Sequence, residues 1–250
     1  MVDLRATVGK DGREMTDYRS IEQRLTVPLG LRRRPVAVTF RDTPPAGVAK
    51  FTGREPSGCS FWRIAAGGRT FYTVPSDHYN CAIGSHTHNM PLPADRAPEL
   101  EQTLSFMTGM GYVTMEEVPG IPRLPRTPGA VIYAPLGDTP LEPDVVLFAG
   151  RPGSMMLLLE AGLRVGIGSQ VPLFGRPTCL AVPAALAQGV VASTGCIGNR
   201  VYTDLGEDEL YVAVPGRDLT KLTEAVQTIT VANATLSEYH RGRRQTLATE

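Results

Sequence analysis

The sequence predicts an α/β (or α+β) protein in which mixed sheets are flanked by helices. Short apolar segments rich in β-branched residues alternate with segments of helical period along the chain. Two stretches, one in each half, can also be laid over each other. A chain of 250 residues that is 42% hydrophobic and 20% charged can bury a core as one large domain or as two lobes.

The chain divides at a proline-rich segment near its middle. Residues 118–129 hold four prolines and predict a linker between two repeat lobes. The predicted divisions are a flexible leader at 1–15, a first lobe at 16–117, a second lobe at 130–240 that ends in a long helix, and a tail at 241–250.

The first lobe opens with a helix over residues 16–27, which Asp17 can cap and which Gly30 follows. Residues 35–40 and 71–74 are predicted strands, and residues 59–66 form an apolar helix that stops at two glycines. A long loop is expected over 75–98. Pro98 then opens a helix to Gly109, with Leu100, Leu104 and Met107 facing inward, and residues 112–116 read as a strand.

The second lobe repeats this alternation. Strands are predicted at 131–134, 144–148, 190–192 and 210–214, and helices at 152–161 and 179–188. Cys196 is expected in a glycine-flanked turn. Asp218 is predicted to cap a last helix with one apolar stripe, made by Leu219, Leu222, Val226, Ile229 and Leu236, on which Asn233 also falls.

Each half contains the same order of features. A strand is followed by a cysteine that opens an apolar helix, a glycine stop, a short strand, and a second cysteine beside Ile-Gly. The cysteines are Cys59 and Cys81 in the first half and Cys179 and Cys196 in the second. Two such units pack most simply about a pseudo-two-fold axis, which predicts that all four thiols meet near it.

Four cysteines without a secretion signal indicate metal binding, catalysis or plain burial rather than disulfides. Cys59 and Cys179 precede helical segments, where the helix dipole favours a thiolate. Gly84, Gly198 and Asn199 are expected to line the cofactor, and the bare backbone of the two glycines allows its close approach. An iron–sulfur cluster is the leading expectation, with zinc or no metal as alternatives, since no Cys-x-x-Cys is present.

Three histidines crowd the first half. His78, His86 and His88 surround Cys81, and in an extended segment His86 and His88 would point to one side as additional metal ligands. Asp77 beside His78 could orient that imidazole as a general base. Arg200, four residues after Cys196, could bind an anion or lower the pKa of a thiol.

Other function classes lack their signals. Lys and Arg together number 25, as do Asp and Glu, and the basic cluster at Arg32 to Arg34 is short, which argues against a nucleic-acid surface. No stretch is long enough to cross a membrane and no secretory signal opens the chain, so a cytoplasmic location is expected. The dinucleotide, phosphate-loop and Gly-x-Ser-x-Gly motifs are absent.

The spacing of these motifs resembles domain-of-unknown-function family 169, over roughly residues 16–240. The resemblance is carried by Pro35-Val-Ala-Val, Cys59, Asp77-His78 with Cys81-x-x-Gly84, Pro143-Asp-Val-Val, and Gly195-Cys196-x-Gly198-x-Arg200. It implies a cytoplasmic bacterial or archaeal protein and brings no activity with it. His86-Thr-His88 lies where small residues and Leu-Gly are expected, which indicates a local specialisation.

These observations leave three functions open. The first is a thiolate-ligated metalloprotein that acts as an oxidoreductase or lyase on a small molecule between the two repeats. The second is a metal-free enzyme that uses a thiol and His78. The third is a module that binds a small ligand and keeps its cysteines in the core. The sequence also leaves open whether the halves pair within one chain or across a homodimer.

Overall fold

A computed structural model describes residues 16–168 and 170–248, and the predicted leader at 1–15 lies outside them. The strands form one seven-stranded sheet in the order β2-β3-β1-β4-β7-β6-β5. Neighbouring strands run antiparallel except β5 and β6, which are parallel, so the sheet is mixed as predicted. The strands are β1 (Val36–Arg41), β2 (Phe71–Thr73), β3 (Ala130–Pro135), β4 (Val145–Gly150), β5 (Leu173–Phe174), β6 (Val191–Ser193) and β7 (Leu210–Pro215).

Helices cover both faces of the sheet. Leu147 of β4 packs toward α2 and α6, whereas Val146 and Phe148 pack toward α1, α5 and α8. This alternation buries both faces of the central strands and confirms the α/β class. The helices are α1 (Tyr18–Leu29), α2 (Gly58–Ala66), α3 (Ala82–Thr87), α4 (Pro98–Gly109), α5 (Pro152–Arg164), α6 (Ala181–Gln188), α7 (Ile197–Thr203) and α8 (Leu219–Leu247).

The sheet extends in both directions from the β1–β4 pair. β1 and β4 pair at the centre, β3 and then β2 follow on one side, and β7, β6 and β5 follow on the other. β3 therefore lies with the strands of the N-terminal half, although it follows the proline-rich segment. Val36 opens β1 opposite Pro135, and Val145 opens β4 opposite Pro215.

The caps of α1 follow the sequence prediction. The Asp17 carboxylate accepts a hydrogen bond from the Ser20 amide at 3.1 Å, and Gly30 ends the helix in the left-handed conformation. The helix runs two residues beyond the predicted end, because Pro28 lies inside the last turn and Leu29 is buried against the sheet.

Two segments of the first half differ from the prediction. Residues 112–116 form no strand: Tyr112 stacks under the guanidinium of Arg176 at 5.0 Å, and a 3₁₀ turn begins at Met115. The expected loop over 75–98 contains a 3₁₀ turn at Pro75–His78 and helix α3. The prediction of an extended segment at His86 is therefore wrong, since the Cys81 thiol accepts the Gly84 amide and starts a helix there.

Helices α4 and α8 are only partly packed. α4 has the predicted bounds, but none of its residues is buried. On α8, Leu219, Leu222 and Val226 are buried as predicted, whereas Leu236 is 57% exposed because the helix has passed the edge of the core. Within the described chain, no helix combines the length and the apolar character that a membrane span requires.

Candidate functional site

All four cysteines lie at the beginning of helical segments. Cys59 is in the first turn of α2, Cys81 caps α3, Cys196 caps α7, and Cys179 lies in the 3₁₀ turn that leads into α6. α2 packs against α3, α7 and the turn of Cys179, and that turn also contacts α3. The four helical N-termini therefore meet on one face of the sheet, and all four thiols are free.

The thiols are close enough to influence one another electrostatically. Burial raises the pKa of Cys59 well above its usual value, and the three other cysteines raise it further. Burial also raises the pKa of Cys179, with Cys81 next and a further contribution from Cys196. The fold thus brings together sulfurs from positions that are far apart in the sequence.

The sulfurs nevertheless do not form a finished ligand set. Over residues 16–168 and 170–248, no group of three or more His, Cys, Asp or Glu side chains is arranged to hold a metal ion. Cys59 and Cys179 are buried, whereas Cys81 and Cys196 are half-buried.

Local hydrogen bonds hold two of these cysteines. The Gly84 amide donates to the Cys81 sulfur at 3.3 Å, and this bond lowers the pKa of Cys81 against the larger raising effect of burial. The Cys196 amide donates to the Thr178 hydroxyl. Backbone and hydroxyl groups, rather than charged side chains, therefore set these positions.

His78 is a buried, neutral imidazole. Its Nε2 lies 2.8 Å from the Thr73 hydroxyl, and its ring packs edge-on against Phe61. Burial, and then the neighbouring His88, lowers its pKa to about 3. The Asp77 carboxylate accepts the Val74 amide at 2.8 Å, so the partner of the imidazole is Thr73 rather than Asp77.

His88 presents an unpartnered nitrogen to the interior. The residue is 3% exposed, and its Nδ1 lies 3.0 Å from the Gly84 carbonyl oxygen, to which it donates. Nε2 then carries a lone pair, and it has no hydrogen-bond partner within the described chain. Burial lowers the pKa of His88 to about 4, and the ring stacks on His78 at 6.1 Å. A neutral imidazole of this kind can accept a proton or ligate a metal.

His86 is separated from this pair. It is half-buried, and its pKa is lowered by burial and by the guanidinium of Arg123. Because α3 is helical up to Thr87, residues two apart do not share a side, so His86 and His88 diverge.

Arg200 is used by the fold. Its guanidinium donates to the carbonyl oxygens of Gly206 at 2.6 Å, Glu209 at 3.0 Å and Thr194. These bonds tie α7 to the segment before it and to the loop before β7. They leave the side chain committed to backbone groups rather than open to an anion.

The predicted cofactor-lining residues behave differently from one another. A Cβ at Gly84 would lie 3.4 Å from the Cys81 sulfur, and one at Gly198 would lie 3.5 Å from Tyr202, which are ordinary contacts. Asn199 is 2% exposed, and neither atom of its carboxamide has a hydrogen-bond partner within the described chain. Asn199 is therefore the unusual member of the three.

Two buried tyrosines beside Cys59 were not predicted. Burial and then the Cys59 thiol raise the pKa of Tyr133, in the middle of β3. Burial raises the pKa of Tyr211 to about 12, and its hydroxyl donates to Thr203 at 3.2 Å. The only sequence signal was a tyrosine within each apolar strand, which packing alone explains.

Comparison with known proteins gives a family but no activity. An uncharacterized protein of Methanocaldococcus jannaschii, MJ0308, is 30% identical over 182 residues, which cover 69% of this chain and 77% of that protein. No solved structure gives a significant match. The profile of DUF169, described as uncharacterised ArCR, matches residues 24–225, so the resemblance inferred from the sequence is confirmed and the chain belongs to that family.

Proposed function

We propose that this chain is a cytoplasmic, thiolate-ligated metalloprotein, with an iron–sulfur cluster as the favoured group, and that it is an enzyme acting on a small molecule. One observation carries the proposal: four cysteines, distant in sequence, begin four neighbouring helical segments, and their thiols interact electrostatically with Cys59 and Cys179 buried. Helix N-termini favour the negative charge of cysteine ligands.

The electrostatics favour a metal over a free nucleophile. Burial raises the pKa values of Cys59, Cys81 and Cys179, so these sulfurs stay protonated near neutral pH. Thiolates form readily beside a cation, and a metal ion supplies that positive charge directly. His78 is not free to act as a base toward them, because its Nε2 is bonded to Thr73.

The donor atoms suit a soft metal. Cys59, Cys81, Cys179 and Cys196 would hold the group, and the free Nε2 of His88 is a further ligand if the metal is zinc. Such a group would supply electron transfer or Lewis acidity. The chain itself supplies a site shielded from water by Phe61, Trp62 and the apolar side chains of α6.

A duplicated ancestor would explain why the sulfurs meet. The strand order outward from the centre, β1-β3-β2 and β4-β7-β6, supports a pseudo-two-fold relation between the halves. The matching positions of Pro135 and Pro215 in the two pairings support it as well. We propose that the axis passes between β1 and β4, which places the thiol site over the centre of the sheet.

Anaerobic purification tests the proposal. We expect a brown protein with a broad visible absorption band and about four thiolate ligands per cluster, as iron–sulfur centres require. Elemental analysis is expected to find iron, or zinc in the alternative case. Cys59→Ser and Cys179→Ser should lose the metal, whereas Ser60→Ala, a change in the same buried turn of α2, should keep it. A colourless protein without iron or zinc would rule the proposal out.

The unpartnered nitrogen of His88 favours a second candidate, a metal-free cysteine–histidine enzyme. In that case one thiol should react rapidly with iodoacetamide near neutral pH. Cys81 and Cys196 are the candidates, because they are the two half-buried cysteines. His88→Phe should slow that reaction. Slow reaction of all four thiols with iodoacetamide would exclude this candidate. If cysteine-to-alanine variants also change stability alone, a ligand-binding module with structural cysteines is left.

A further inference from the structure

The Asn199 carboxamide is a buried polar group for which the described part of the chain offers no hydrogen-bond partner. It is 2% exposed on α7, three residues after Cys196, and neither Oδ1 nor Nδ2 has a partner in the part of the chain that the structure describes. An unpaired buried amide is costly, and native proteins seldom keep one without a reason.

The surroundings of Asn199 orient its amide. Gly195 has a φ of +81°, and a Cβ there would lie only 3.1 Å from Oδ1 of Asn199, so the bare glycine makes room for the amide oxygen. The NH₂ group therefore faces away from Gly195. α2, which carries Cys59, packs against α7, and the Asn199 amide lowers the pKa values of Cys59 and Tyr211 against the larger raising effect of burial.

The Tyr211 hydroxyl already has a partner for its proton. It donates to Thr203, and the Thr203 hydroxyl donates to the backbone carbonyl oxygen of Asn199 at 2.8 Å, which links β7 to α7. The Tyr211 oxygen and the Cys59 sulfur can therefore both accept the amide, but only the sulfur becomes a stronger acceptor when it binds a metal. A protonated thiol is a weak acceptor, whereas a metal-bound thiolate is a strong one.

We infer that Asn199 is a positioning residue for the metal site, whose side-chain NH₂ donates to the Cys59 sulfur once that sulfur ligates a metal. This inference rests on the proposed function. As the metal–sulfur bond forms, the thiol proton leaves to solvent and the amide gains its missing acceptor. Asn199 thereby stabilises the loaded protein selectively and distinguishes Cys59 from the three other cysteines.

Titration of the full chain with Cd²⁺ alone tests the inference, because thiolates bind this soft ion and the complex absorbs in the ultraviolet. Asn199→Leu, which keeps the shape and removes the donors, should weaken Cd²⁺ binding about 10- to 100-fold and change the absorption band. Asn199→Asp, which offers no donor, should weaken binding at least as much. Asn233→Leu, a half-buried amide on α8, should bind like the wild type.

A second measurement separates this role from a purely structural one. The denaturant midpoint of metal-free Asn199→Leu should equal or exceed that of the wild type, since the variant removes an unpaired polar group. Wild-type affinity for Cd²⁺ in Asn199→Leu would overturn the inference alone, as would weaker binding accompanied by an equal loss of metal-free stability. A wild-type protein that binds no Cd²⁺ would overturn the proposed function together with it.

Discussion

At the scale of single residues, the stacked imidazoles of His78 and His88 link the site to the stability of the fold. Both are buried and neutral, with pKa values lowered to about 3 and about 4 from the ordinary 6.5. The unfolded chain therefore binds more protons than the folded one wherever the pH lies between these values and 6.5. Stability is fully present above about pH 6.5 and is lost as the pH falls toward 4.

This difference predicts a measurable pH dependence of unfolding. Each histidine should contribute about 1.4 kcal/mol per pH unit to the slope of the unfolding free energy below pH 6. His78→Gln should lower that slope by about 1.4 kcal/mol per pH unit, the contribution of one proton. Urea denaturation at several pH values between 5 and 7 measures it. His240→Gln, on the exposed part of α8, should leave the slope unchanged, and an equal change in both variants would contradict the assignment.

The helix starts at Cys59 and Cys179 could be predicted from the sequence, whereas the side chains that surround the cysteines could not. Each cysteine stands beside a helix start or a glycine, which is a local feature. The bond of His78 to Thr73 and the burial of Asn199 depend on strands and helices that only the complete sheet brings together. The expected Asp77–His78 pairing failed to form for a local reason, since the carboxylate caps its own 3₁₀ turn.

At the scale of elements, a partly buried ion pair joins α1 to the segment that leads into β1. The Arg34 guanidinium contacts Glu22 through two nitrogens, at 2.6 and 2.9 Å, and Asp138 at 2.7 Å. Glu22 is buried and also accepts the Gly137 amide. Removing the cation would leave a carboxylate in a place shielded from water.

We therefore expect Arg34→Met to lower the free energy of unfolding by about 2 kcal/mol, a reduced value because Arg34 is partly exposed. Arg24→Met is the control, because Arg24 of α1 makes an exposed hydrogen bond to Gln227 of α8. It should change the free energy of unfolding by less than about 0.5 kcal/mol. Chemical denaturation of both variants measures the difference. Adding Glu22→Gln to Arg34→Met should recover part of the loss, and no recovery would argue against an unpaired charge.

The distal part of α8 predicts a tolerated truncation. Beyond Thr230 every described residue of the helix is exposed or half-buried, and Val226 is its last buried side chain. A stop after Thr235 should change the unfolding free energy by less than about 1 kcal/mol, whereas a stop after Leu222 removes Ala225 and Val226 and should prevent stable folding. Expression yield and thermal melting of the two shortened chains check this.

Long periodic elements could be predicted from the sequence and short ones could not. α4 has the predicted bounds because Pro98 and Gly109 frame a clear helical pattern. α7 has seven residues with Ile197 and Val201 exposed, so no apolar stripe announces it. The strand expected at 112–116 had suitable residues but no neighbouring strand, since strand propensity reflects packing against partners.

At the scale of the whole molecule, one sheet joins the two halves of the chain. Trp62 of α2 contacts Tyr211 of β7 with ring centroids 5.4 Å apart, so this single tryptophan reports on both halves. The helices on both faces of the sheet pack against the same central strands. The molecule should therefore unfold in one transition.

Phe148→Ala tests this cooperativity. It opens a cavity on the face opposite Trp62 and should lower the free energy of unfolding by about 3–5 kcal/mol. Tryptophan fluorescence and far-ultraviolet circular dichroism should report the same lowered midpoint. Leu173→Ala, an exposed change on the edge strand β5, is the control and should leave both midpoints in place. If Phe148→Ala left the midpoint of the fluorescence transition unchanged, the two halves would unfold separately.

The pairing of β1 with β3 also determines when the chain can fold. Val36 has its partner at Pro135, and its other neighbour, β4, follows only at Val145. During synthesis the apolar β1 strand must therefore wait, unpaired, until more than half of the polypeptide has left the ribosome. Nascent chains stalled before β3 should consequently recruit chaperones and be cut by proteases, and chains extended past β4 should begin to resist both.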